Sequence, residues 1–132
     1  MMICCCVSYT RTQFFGAFQI VAILPDTCVD IFEADEYGEY SHKISEYFEI
    51  GFQTLLYTSA YKTDITGYKI VGSRPVSVFA GHACASIPEG KSYCDHIVEQ
   101  IPPVSELGKL HFVPPIIGRY ADAGFVFTCA HA

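Results

Sequence analysis

The sequence contains no asparagine, so it carries no Asn-x-Ser/Thr acceptor and lacks that surface mark of secretion. Basic residues are scarce: eight Lys and Arg stand against fourteen Asp and Glu, a net charge of −6. With no Lys/Arg cluster to offset it, such a surface repels phosphate backbones and anionic lipid, which excludes nucleic acid as a partner. Long apolar runs are missing as well. Phe14 to Leu24 is too short for a membrane span and is interrupted by Gln19. Met1 to Val7 is short even for the apolar region of a signal peptide, and no positive segment precedes it. Gly-x-Ser-x-Gly, His-Glu-x-x-His, a Gly-rich phosphate loop and Cys-x-x-Cys are all absent. The chain is therefore read as noncatalytic, with no cofactor.

What is present is a core. At 132 residues and 51% hydrophobic composition the chain is long enough for one packed domain and too short for two. Phe18 to Leu24 reads as a buried strand ended by Pro25-Asp26, and Cys28 to Phe32 alternates, with Val29 and Ile31 on one side. Glu33 to Tyr40 is polar around Gly38 and suits a hairpin tip. His42 to Ile50 and Phe52 to Thr58 are strand-like, with Gly51 as a break or bulge. Ile65, Tyr68, Ile70 and Val71 are β-branched or aromatic, and Gly72-Ser73-Arg74-Pro75 supplies a turn. Val76, Val78 and Ala80 then alternate with Ser77 and Phe79, and Pro75, lacking an amide proton, fits the start of that strand. Pro102-Pro103 and Pro114-Pro115 bracket a short extended segment, Lys109 to Val113, and Gly124 to Ala130 reads as a last strand. Many short strands joined by Gly and Pro turns predict an all-β, mainly antiparallel, sandwich-like domain.

Several separated blocks carry a resemblance: Asp64-Ile-Thr-Gly, Arg74-Pro-Val-Ser-Val-Phe-Ala-Gly-His, Cys84, Cys94-Asp-His, Glu99-Gln-Ile-Pro-Pro-Val and Phe112-Val-Pro-Pro. In this order they resemble the N-terminal domain of the IgG-Fc-binding protein family, sharply over residues 64–115 and loosely from about residue 17. The resemblance implies an extracellular, secreted, noncatalytic binding or scaffold module of mucus or matrix type, whose partner is a protein or glycoprotein. It also implies that the strands continue past residue 132, so that residues 14–132 form a partial domain truncated at its C-terminal end. Apart from the resemblance, residues 1–13 are read as a leader from their terminal position, with no role for Cys4-Cys5-Cys6, the alternatives there being S-palmitoylation or intermolecular disulfides. Nothing in these residues identifies an Fc contact.

Seven cysteines pose the remaining question, and an odd count leaves at least one without a partner in the chain. Cys84 and Cys94 flank a ten-position loop. They suit a disulfide, or, with His82 and His96, a zinc site of mirrored His-x-Cys and Cys-x-His pairs. Resemblance to an extracellular family favours the disulfide, because extracellular thiols oxidise. Cys28 and Cys129 are a possible second pair, and an unpaired cysteine would permit disulfide-linked multimers. The acids Asp30, Glu33, Asp35, Glu36 and Glu39 fit a solvated hairpin tip better than a calcium site, since no EF-hand spacing is present. Glu99-Gln100 is expected to make turn hydrogen bonds ahead of Pro102-Pro103. Loops on a rigid scaffold commonly carry recognition, which makes Tyr93, Ile97, Ile101 and Val104, beside the 84–94 and 102–115 loops, the contact candidates.

Overall fold

The computed structural model describes residues 2–5, 15–60, 63–85 and 92–107. Among them eight strands follow in order: β1 Met2–Cys5, β2 Gly16–Ala22, β3 Thr27–Ala34, β4 Tyr40–Phe48, β5 Thr54–Thr58, β6 Tyr68–Gly72, β7 Val76–Ala85 and β8 Asp95–Ile101. A short 3-10 turn, Val104–Glu106, follows β8. The strands form two four-stranded sheets, β1-β6-β3-β4 and β5-β2-β7-β8, in which each neighbouring pair is antiparallel. This is the sandwich that the spacing of turns and apolar alternation predicts.

Alternation explains how the sheets face each other. Successive strand residues point to opposite sides, so Phe18, Ile20 and Ala22 of β2 and Val76, Val78 and Ala80 of β7 share the inner face of the second sheet. Val29 and Ile31 of β3 and Tyr68 and Ile70 of β6 line the inner face of the first. Together with Phe48 and Ile65 they make one buried cluster. Full burial of each large side chain contributes about 1.5–3 kcal/mol. The Phe18 ring stacks on Tyr57 at 4.8 Å between centroids, and both approach Tyr68 of the other sheet, at 6.1 and 5.8 Å. That aromatic trio joins the two layers.

The connections show where local chemistry departs from expectation. The β3–β4 hairpin turns as predicted at Gly38, whose φ of 82° suits glycine. One carboxylate oxygen of Asp35 accepts from the Tyr37 and Glu39 amides at 2.9 and 2.8 Å and pins the turn. Between β4 and β5 the left-handed residue is Phe52, φ 64°, and not Gly51. Ile65 is buried but precedes β6, since the strand starts only after Gly67, φ 80°. Glu99 and Gln100 are strand residues of β8 and not turn residues, because β8 runs to Ile101 against Val78 of β7. Met2–Cys5, read from sequence as leader, pairs with β6 at the edge of the first sheet through register Met2↔Val71 to Cys5↔Tyr68. A short apolar segment with no helical length finds its hydrogen bonds at an open sheet edge. The Lys109–Val113 segment, the Gly124–Ala130 strand and Cys129 lie outside the described residues.

Candidate functional site

β7 and β8 position the residues that the sequence singles out. They pair from Val78↔Ile101 to His82↔Ile97, then shift register before Ala85↔Asp95. This irregularity brings Cys84 and Cys94 together as a disulfide with Cα atoms 5.1 Å apart. Such a separation is usual for a bridge, so the staple fits the hairpin that carries it. Gly81 makes the approach possible: a Cβ there would lie 2.1 Å from the Ile97 carbonyl oxygen, a distance no side chain tolerates.

With both sulfurs in the bridge, the zinc alternative loses its two thiolates. His82 is buried and its Nδ1 accepts from the Cys84 amide at 3.1 Å, while His96 lies at the exposed start of β8. Among the described residues no three His, Cys, Asp or Glu side chains converge as a metal site. Three of the hairpin's five acids are likewise engaged locally. Asp30 accepts from Ser45 at 2.6 Å, Glu33 takes Lys43 and the Tyr68 hydroxyl, and Asp35 holds the turn.

Four contact candidates separate into two kinds. Tyr93 is 69% exposed beside the disulfide. Ile97, Ile101 and Val104 are half-buried, and Ile101 packs against the core cluster. Cys28 is exposed, and its thiol forms no bridge among the described residues. The pairing with Cys129 reaches beyond them.

Residues missed by the loop-centred reading lie on the outer face of the second sheet. The register places Gln19 between Leu56 and Phe79, and Ala17 opposite Gly81, which in turn faces Val98. The small pair Ala17 and Gly81 leaves a shallow depression of about 240 Å³, flanked by Phe15, Leu56, Phe79 and Val98, with His96 at one side. Leu56 and Val98 are 64% and 58% exposed, and Phe15 is exposed too. Their signal was available: Leu56, Phe79 and Val98 alternate with inward residues, so an apolar side chain at these positions marks a second apolar face. The depression sits at the disulfide end of the sheet, because β2 begins opposite His82.

One cluster resembles a hydrolytic triad by composition. His42 Nε2 lies 2.8 Å from Ser45 Oγ, and Ser45 Oγ donates to Asp30 at 2.6 Å. The only hydroxyl proton thus points at the carboxylate, so the imidazole nitrogen must donate to Ser45 and cannot act as its base. In a working triad the carboxylate orients the histidine through its other nitrogen. Here it lies 3.5 Å from the same Nε2, with both side chains about half exposed. The cluster is a surface hydrogen-bond group.

The family model described as IgGFc binding protein matches residues 5–127 of the chain. The human (Homo sapiens) IgGFc-binding protein is 36% identical over 67 residues, which is 51% of this chain and 1% of that protein. The chain thus spans about one hundredth of that relative's length. No solved structure matches the chain.

Proposed function

The chain belongs to the IgGFc-binding protein family, and from that membership we propose that it is an extracellular, noncatalytic module that docks a protein or glycoprotein partner on the outer face of its second sheet. The observation that carries this reading is the apolar depression between Leu56, Phe79 and Val98 beside the stapled β7–β8 end. Exposed apolar side chains gathered around a concavity on a rigid sheet are what a recognition patch requires, with Tyr93 as an adjacent amphipathic contact. The Cys84–Cys94 bridge supports export, since disulfides persist in oxidising compartments. No helix among the described residues is long and apolar enough to cross a membrane.

The test is calorimetric titration of the oxidised protein against two probes, a gel-forming mucin and an IgG Fc fragment, the latter chosen from the name of the human relative. Binding of either probe should weaken by at least about tenfold in Leu56→Asp and Val98→Asp, as expected when a contact at the centre of a patch is replaced by charge. Binding of neither, or binding indifferent to both substitutions, removes the reading. A second reading, a disulfide-linked matrix component, is favoured by the exposed Cys28 thiol. It predicts covalent multimers on a nonreducing gel that vanish in Cys28→Ser.

A further inference from the structure

The opposite end of the sandwich carries a different surface. There the two crossings between sheets, residues 23–26 and 49–53, lie side by side. The Phe52 amide donates to the Ala22 carbonyl at 2.7 Å, and the Ala22 amide donates to the Gln53 carbonyl at 3.0 Å. The Gln53 side chain also accepts from the Ile50 amide at 3.0 Å, and the buried Thr27 hydroxyl donates to the Leu24 carbonyl at 2.7 Å. These bonds fix the turns in place. What they hold outward is apolar: Phe52 is 76% exposed and Ile50 60%, with Ile23 and Leu24 exposed beside them.

Two residues at this end, Asp26 at φ 52° and Phe52 at φ 64°, adopt left-handed backbone without being glycine. An aromatic residue is among the least suited to that conformation, and Gly51, the residue that would take it freely, stands one position earlier. Folding alone is better served by glycine or asparagine at position 52. Backbone strain combined with outward display of a large ring is characteristic of a surface kept for contact.

We infer that the Ile23, Leu24, Ile50 and Phe52 tip is a second docking surface, and that its partner is a protein with an apolar cleft bordered by basic side chains. The charge around the tip selects that partner. Asp26 and Glu49 belong to the two turns themselves, and the Asp26 amide donates to the Glu49 carbonyl at 3.4 Å. The Ile23 amide donates to Pro75 at 3.4 Å, so Arg74 is close by and leaves the rim with one net negative charge. That charge is part of a net −6 for the whole chain. An acidic apolar tip on an acidic protein is repelled by anionic membranes and by a second copy of itself, and is attracted to a cationic rim.

The experiment uses the full 132-residue oxidised chain, isotope-labelled, and follows its amide resonances. The probe is a synthetic amphipathic Leu/Lys peptide, which presents an apolar stripe between basic side chains. Phosphatidylcholine vesicles and phosphatidylcholine/phosphatidylserine vesicles are the other arms. The expected result is peptide-induced shifts confined to residues 23–26 and 49–53, with no response to either vesicle. Phe52→Gly and Phe52→Asn, both suited to the left-handed turn, should bind the peptide at least about tenfold more weakly while melting no lower than the parent protein. Three results overturn the proposal: peptide shifts that map elsewhere, insertion of the tip into vesicles, or concentration-dependent shifts of the tip without peptide, which would make a second copy the occupant. Undiminished peptide binding in both Phe52 variants overturns it as well.

Discussion

Glu33 connects charge, aromatic packing and the junction of the sheets through one carboxylate. One oxygen takes the Lys43 ammonium and the other accepts the Tyr68 hydroxyl at 2.8 Å. The Lys43 hydrogen bond, then that of Tyr68, holds the Glu33 carboxyl below its ordinary 4.5. The bond that Lys43 donates to Glu33 raises the amine above 10.5, and burial, followed by the hydrogen bond with Tyr57 and the one donated to Glu33, pushes the Tyr68 phenol well above its ordinary 10.0. Signs follow from these directions. A depressed carboxyl contributes stability that is present above the unfolded value near 4.5 and is lost as pH falls through the folded value. Raised Lys43 and Tyr68 contribute stability present below 10.5 and 10.0 and lost as pH rises further. The melting temperature is therefore expected to hold level between these limits and to fall on both sides. Glu33 and Lys43 are each about one third exposed, so water screens the pair and its share is modest. Glu33→Gln should lower the plateau slightly and flatten the acid limb, measured by calorimetric melting from pH 3 to 8. An acid limb as steep as in the parent would show that other carboxyls control it. From sequence, Glu33 is one acid among five in a polar hairpin. Its partner Tyr68 is 35 positions away, and only the β3–β6 pairing brings them together.

At the scale of elements the β7–β8 hairpin is the most constrained unit, and its two constraints are separable. Closing a loop of ten positions removes unfolded-chain entropy worth roughly 2.5–3 kcal/mol. The double variant Cys84→Ser/Cys94→Ser should lose about that much in urea unfolding, with the change appearing in the midpoint. A midpoint equal to the parent's would mean that the unfolded chain is not limited by this bridge. Gly81 acts in the folded state instead. Gly81→Ala drives a methyl group into the Ile97 carbonyl, so β8 must move away or the pairing must break. Amide exchange of β8 should accelerate at least about tenfold in Gly81→Ala while β3 and β6 keep their protection. Uniform acceleration across both sheets would assign the damage to global stability. The local spacing of Cys84 and Cys94 left a bridge and a zinc site with His82 and His96 both open, and the resemblance to an extracellular family favoured the bridge that the structure shows. The requirement for glycine at 81 was not legible, since it arises from a backbone that returns sixteen residues later. Phe52 shows the converse. A neighbouring glycine is the natural candidate for a left-handed turn, yet the bond from the Phe52 amide to Ala22 and the bond from the Ala22 amide to Gln53 set the turn one residue later.

For the whole molecule, inner faces were readable and outer faces less so. Period-two alternation identifies Val29, Ile31, Val76, Val78 and Ala80 as core without any structure, because burial on one side is what alternation reports. It does not say which strands are neighbours, and the order β5-β2-β7-β8 is what turns scattered Leu56, Phe79 and Val98 into one patch. The same order has a consequence for cooperativity. Every crossing from β2 to β3, β4 to β5, β5 to β6 and β6 to β7 passes between the sheets, so neither sheet is a continuous piece of chain. The core cluster draws on both, and Phe18 meets Tyr68 across the interface. Neither layer should survive loss of the other. Phe18→Ala removes a buried ring that touches both layers and is expected to cost about 3–5 kcal/mol. With no tryptophan in the chain, emission comes from nine tyrosines, of which Tyr57 and Tyr68 sit at the junction and change surroundings when the sheets separate, while far-ultraviolet circular dichroism reports strands everywhere. In guanidinium titrations the two signals should move together in the parent, and shift together to lower denaturant in Phe18→Ala. Separate transitions would mean that one sheet holds without its partner, and the sandwich would then have to be treated as two stability units joined at their faces.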